Sequence, residues 1–66
     1  MKIGKRILSL RKDMNISQAE LGKAIGVNGR AISYWEQNIN EPKASYIYAL
    51  ALFFGVSADY LLGLED

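Results

Sequence analysis

The sequence contains no cysteine and no histidine. Without cysteine there is no disulfide framework, and the composition fits a reducing compartment, so a cytoplasmic location is expected. The two absences together exclude Cys/His zinc sites, Ser–His and Cys–His nucleophile pairs and imidazole acid–base chemistry. Proline occurs once and glycine six times, which argues against a loop-rich fold. Long hydrophobic runs are missing too. The longest, Ile47 to Phe54 with Tyr48 inside it, is far too short to span a bilayer. The basic start, Met1 to Arg6, is not followed by the apolar region of a secretion signal. Carboxylates are scattered rather than paired in apolar settings, and no glycine-rich loop cradles phosphate. An enzyme is therefore not expected, nor a metal, a small-molecule cofactor or a membrane partner.

What is present is a chain of 66 residues, 50% hydrophobic and 23% charged, the composition of a folded soluble domain. One domain spanning residues 1–66 is expected, with no room for a sensor domain. A chain of this size buries only about 60% of the surface that its unfolded form exposes, so its fold must be economical. The net charge is +1, but its distribution is uneven. Lys2, Lys5, Arg6, Arg11, Lys12, Lys23 and Arg30 in the first half face only Asp13 and Glu20. The second half has Lys43 against Glu36, Glu41, Asp59, Glu65 and Asp66. The pattern fits either a molecule with one anion-seeking face or ordinary solvated helix surfaces.

Apolar spacing predicts five short helices. Ile3, Ile7, Leu10 and Met14 recur at helical intervals in the first, which ends near Asp13–Asn15. Ser17-Gln18-Ala19-Glu20 is a capping-box pattern that opens the second, and Gly26 closes it. Asn28 is the expected N-cap of a third helix running to about Glu36. A polar loop from Gln37 to Glu41 and Pro42 lead to a fourth helix that ends at Phe54 before Gly55. Ser57 caps a fifth that ends near Leu62 before Gly63, with Asp59 near its positive dipole end.

Helix, glycine-containing turn, helix over Ser17–Glu36 is the layout of a helix-turn-helix unit. Gly22 fits a close backbone approach where the two helices cross. Three segments resemble a known family in order and spacing. Ser17–Asn28 is similar to its SQxELAxxxGVS pattern, Ile32–Glu36 to its ISxWE segment, and Leu50–Gly63 to its LAxxLGVSxDYLLG ending. The sequence thus resembles the lambda-repressor and Cro-like helix-turn-helix family over residues 3–63. The resemblance implies an all-α, compact bundle of five helices. It also implies a sequence-specific transcriptional regulator, most often a repressor, that binds double-stranded operator DNA as a two-fold dimer with the third helix in the major groove.

Ile32 and Trp35 fall on one side of the third helix and are assigned to the core, with base stacking as the rival role for Trp35. Gly29, Arg30, Ser33 and Tyr34 lie towards the other side and, by resemblance, match the base-reading positions. Arg30 suits bidentate bonding to guanine O6 and N7, or a phosphate. Gly29 departs from the family, which places a side chain there; it either leaves a base unread or lets the backbone approach. Gln18, Asn28, Asn38, Asn40 and Lys43 are the phosphate candidates, at helix starts and in the following loop. That loop is nearly neutral where the family is often basic, which implies modest affinity. Arg11 and Glu36 match a partly buried ion pair of the family; otherwise they are independent surface charges.

The fourth helix presents Ala44, Ile47, Leu50, Ala51 and Phe54 as its core face. Its opposite side carries Ala49, Leu52 and Phe53 with Tyr46 and Tyr48 flanking, where polar residues are expected. Leu52 and Phe53, with Val56, Tyr60 and Leu64, are the candidates for a homodimer contact or a protein partner. The alternative function is accordingly an antitoxin or other protein-interaction module.

Overall fold

The computed structural model describes residues 1–65. It has five helices: α1 (Ile3–Asp13), α2 (Gln18–Ile25), α3 (Gly29–Glu36), α4 (Ala44–Phe54) and α5 (Ala58–Leu62). No strand occurs among the described residues.

Helices of five to eleven residues are marginal on their own, and their ends are fastened by side chains. At α2, Ser17 Oγ accepts from the Glu20 amide at 3.0 Å, while Glu20 Oε1 accepts from the Ser17 amide at 2.8 Å. The Ser17 amide foremost, and then the Ser17 side chain, hold the Glu20 carboxyl below its ordinary range. Asn28 caps α3 through the Ala31 amide, and Ser57 caps α5 through the Tyr60 amide, both at 2.9 Å. Such caps contribute about 1 kcal/mol each.

Each helix sends at least one fully buried side chain into a single core: Ile3 and Ile7 from α1, Leu21 from α2, Ile32 and Trp35 from α3, Leu50 from α4 and Leu61 from α5. α3 packs on both α1 and α2, α4 packs on α2 and α5, and α5 returns to α1. The sequence pattern overstates two apolar stripes. Met14 lies beyond the last turn of α1 and is 47% exposed. On α4 only Leu50 is fully buried; Ile47, Ala51 and Phe54 are half-buried and Ala44 is exposed. Tyr46, expected on the outer flank, instead packs its ring on Trp35 with centroids 5.4 Å apart. That contact and the burial of Trp35 make the tryptophan a core residue and not a base-stacking one.

Two glycines are fixed by close approach. A Cβ on Gly22 would stand 2.5 Å from the Val27 carbonyl oxygen and 3.0 Å from Asn28. The approach is therefore to the turn that follows α2, not to the helix crossing the sequence pattern suggests. Gly4 lets the start of α1 meet the end of α3: a Cβ there would lie 2.5 Å from the Trp35 carbonyl oxygen and 2.7 Å from that of Glu36. Alanine normally favours a helix over glycine by about 1 kcal/mol. Gly4→Ala should nonetheless lower stability by about 1–3 kcal/mol through overpacking. Urea unfolding reads this directly; an unchanged or higher midpoint would mean that α1 slides freely over α3.

Candidate nucleic-acid interface

The outward side of α3 follows from its core side. At about 100° per residue, burying Ile32 and Trp35 turns Arg30, Tyr34 and Gln37 away from the core, with Ser33 at the edge. Arg30 is exposed, Tyr34 is 37% exposed and Ser33 is half-buried. The sequence pattern leaves Gln37 in the loop. Its backbone is instead still helical (φ −89°, ψ 0°) at the C-cap, so the outward face is one residue longer than expected. Its side-chain nitrogen lies 2.9 Å from Ser33 Oγ and 3.2 Å from the Ser33 carbonyl oxygen. Only the position of the helix end could have pointed to Gln37.

Gly29 does not share that outward face. A Cβ there would meet Ala19 of α2, at 3.1 Å from its nitrogen and 3.2 Å from its Cα. The missing side chain is what lets the first turn of α3 lie against the first turn of α2.

Beneath the face lies a partly buried polar network. Arg11 Nε donates to Glu36 Oε2 at 2.7 Å and Arg11 Nη2 to Glu36 Oε1 at 3.1 Å, a bidentate pair. The side chains are only 12% and 4% exposed, so the reading of two independent surface charges does not hold. The bond to Glu36 raises the Arg11 pKa further, against the opposing effect of burial. A third guanidinium nitrogen, Nη1, donates to the Ile16 carbonyl at 2.9 Å. Gln18 Nε2 donates to Glu36 Oε1 at 2.9 Å. Gln18 was expected only as a phosphate contact; nothing in the sequence pairs positions so far apart, and the fold alone joins them.

The other phosphate candidates divide. Asn28 uses Oδ1 for its cap and keeps its amide nitrogen at the start of α3. Asn38 has a left-handed backbone (φ 59°), and its Oδ1 lies 2.8 Å from where a Gly4 Cβ would be. It closes α3 against α1. Asn40 and Lys43 are exposed, Lys43 at the N-cap of α4.

The five candidates for a partner contact lie in different local surroundings. Leu52, 66% exposed, and Val56 line an apolar groove of about 370 Å³ between α4 and α5, together with Ile47, Tyr48, Ala51 and Leu62. Phe53 lies edge-on against Phe54, with ring centroids 5.3 Å apart. Tyr60 is covered by the Arg6 guanidinium, 4.1 Å above its ring. Leu64 is 74% exposed and lies outside the groove. The groove thus includes Ala44, Ile47 and Ala51, three of the five residues of the expected core stripe of α4.

Residues 7–61 match the helix-turn-helix family. The chain belongs to this family. Repressor protein C2 of Salmonella phage P22 is 45% identical to it over 60 residues, 91% of this chain and 28% of that protein. The crystal structure of the P22 c2 repressor in complex with a synthetic operator superposes with a TM-score of 0.86 at 44% identity, over 89% of each chain. The N-terminal DNA-binding domain of SinR from Bacillus subtilis gives a TM-score of 0.84 at 31% identity, over 92% of this chain and 90% of that one. The chain spans about half or less of the length of the curated relatives it matches. The five-helix, all-α architecture is that of the P22 c2 repressor DNA-binding domain.

The network carries a direct test. Removing one partner of a buried pair leaves the other uncompensated, so Arg11→Met or Glu36→Gln alone should cost about 3–5 kcal/mol in urea unfolding, and the double change to apolar residues should recover much of it. Additive losses in the double-mutant cycle would show that the pair is not coupled in solution.

Proposed function

We propose that residues 1–66 form a single DNA-binding domain of a transcriptional regulator, most often acting as a repressor. It docks α3 in the major groove of a two-fold symmetric operator. The observation that carries this reading is the exposed face of Arg30, Ser33 and Tyr34 on a short helix held from beneath by the Arg11–Glu36–Gln18 network. Rigid support matters because base readout depends on placing donors and acceptors to within a hydrogen bond of the base edge. The printed description of the P22 c2 structure, a complex with operator, supports the same reading. The activity needs no catalytic group and no cofactor, and it places the protein with DNA in the cytoplasm.

Arg30 reads base edges and Ser33 and Tyr34 assist it, while Gly29, turned towards Ala19 of α2, takes no part in base reading. Gln18 and Asn28, at the starts of α2 and α3, with Asn40 and Lys43, hold phosphates. Asn38 contributes through the turn that it shapes. Arg30→Ala should weaken binding to a selected operator by about 1–3 kcal/mol and relax preference at one base position. Competition titrations against single-base variants measure this; an equal loss on every sequence would make Arg30 a phosphate contact.

The α4–α5 groove is assigned to a second copy of the chain. Its lining is apolar, so like charge does not oppose self-association. A two-fold pair would set the two α3 helices about 34 Å apart, one turn of DNA. The same groove is what favours the second reading, a module that holds a different protein. Leu52→Glu should leave the helical signal and melting intact, move sedimentation from dimer to monomer, and weaken operator binding. Wild-type sedimentation as a monomer at ~100 μM, within the μM–mM range at which exposed apolar surface drives association, would remove the dimer from the proposal.

A further inference from the structure

The bond between Ser33 and Gln37 has a chemical consequence for what α3 can read. A glutamine amide carries two N–H donors on its nitrogen and lone pairs on its oxygen. In this protein the Gln37 nitrogen faces two acceptors of one residue, Ser33 Oγ at 2.9 Å and the Ser33 carbonyl oxygen at 3.2 Å. Its donors are turned back onto the helix. Among the described residues no donor reaches Gln37 Oε1. The exposed end of the side chain therefore presents an acceptor alone, on the same side of α3 as Arg30 and Tyr34.

We propose that Ser33 and Gln37 act as one preassembled reading element in which Gln37 offers an acceptor-only oxygen to a base-edge amine; this rests on the DNA-binding reading above. Phosphate oxygens are acceptors themselves and gain nothing from it. In the major groove, adenine N6 and cytosine N4 are donors, whereas guanine and thymine present only acceptors and a methyl. A free glutamine favours adenine by bonding N6 and N7 together, which uses its nitrogen as well as its oxygen. With that nitrogen held by Ser33, the bidentate mode is closed, and adenine and cytosine are accepted alike. Holding the amide also removes rotamer freedom before binding, which lowers the entropic cost of the contact.

The test is selection of bound sites from random double-stranded DNA by the wild-type chain and four variants, each checked for unchanged helical melting. Wild type should select adenine or cytosine about equally at one position, by about five-fold over guanine and thymine, the scale of one net hydrogen bond. Gln37→Ala should flatten that position and leave the others. Gln37→Glu, which also presents only acceptors, should keep the adenine-or-cytosine preference at lower overall affinity. Ser33→Ala removes the Oγ acceptor and keeps only the longer bond to the backbone carbonyl, so one amide N–H becomes available and the position should narrow to adenine. A wild-type preference for adenine alone that Ser33→Ala leaves unchanged would overturn the proposal. So would Gln37→Ala lowering affinity evenly with every position preserved. If Arg30→Ala alters the selected motif and no Gln37 variant does, the Gln37 assignment falls while the DNA-binding reading stands. If wild type selects no motif, both fall.

Discussion

The carboxylate of Glu36 is the point at which three helices are tied together. It takes two nitrogens of Arg11 from α1 and the amide of Gln18 from α2, while sitting at the end of α3. Arg11 in turn holds the Ile16 carbonyl in the connection between α1 and α2. A buried ion pair of this kind adds little net stability over an apolar substitute. What it supplies is direction, because a planar guanidinium meeting a carboxylate through two bonds fixes both side chains in angle as well as distance. The orientation of α3 relative to its two supports is thereby set at its C-terminal end.

At the opposite end of α3 the constraint is steric. Gly29 lies against Ala19, and Gly22 lies against the Val27 carbonyl. Gly22 has no space for a side chain and Gly29 only a tight one, which restricts the arrangement of the turn between α2 and α3. A charged clamp at one end and close backbone contact at the other hold an eight-residue helix that would be mostly unfolded in isolation. Its outward face can then carry residues chosen for recognition, since none of them is needed for packing.

The remaining helices divide the surface by chemistry. The basic residues concentrate on and before α1 to α3, whereas four of the seven acidic ones lie beyond α3. The apolar groove between α4 and α5 adds a third kind of surface, separate from the outward face of α3. A charged ligand surface and an apolar association surface on one small domain can each change without disturbing the other, because they share few supporting residues.

Local chemistry was legible in the sequence. Caps at Ser17, Asn28 and Ser57, stops at Gly26, Gly55 and Gly63, and the burial of Ile32 and Trp35 follow from neighbours within a turn or two, where hydrogen bonds and helical period are decided. The resemblance to repressor domains extended this to the order of the helices and to the Arg11–Glu36 pair. Contacts between distant positions were not legible. Gln18 on Glu36, Tyr46 on Trp35, Arg6 over Tyr60 and the close approach at Gly29 depend on how rigid helices cross, and residue spacing within a helix says nothing about which helix will lie opposite. The apolar side of α4 shows the same limit: period fixed which residues share a face, but only the path of α5 decided that Ile47 and Ala51 line an open groove while Leu50 is sealed.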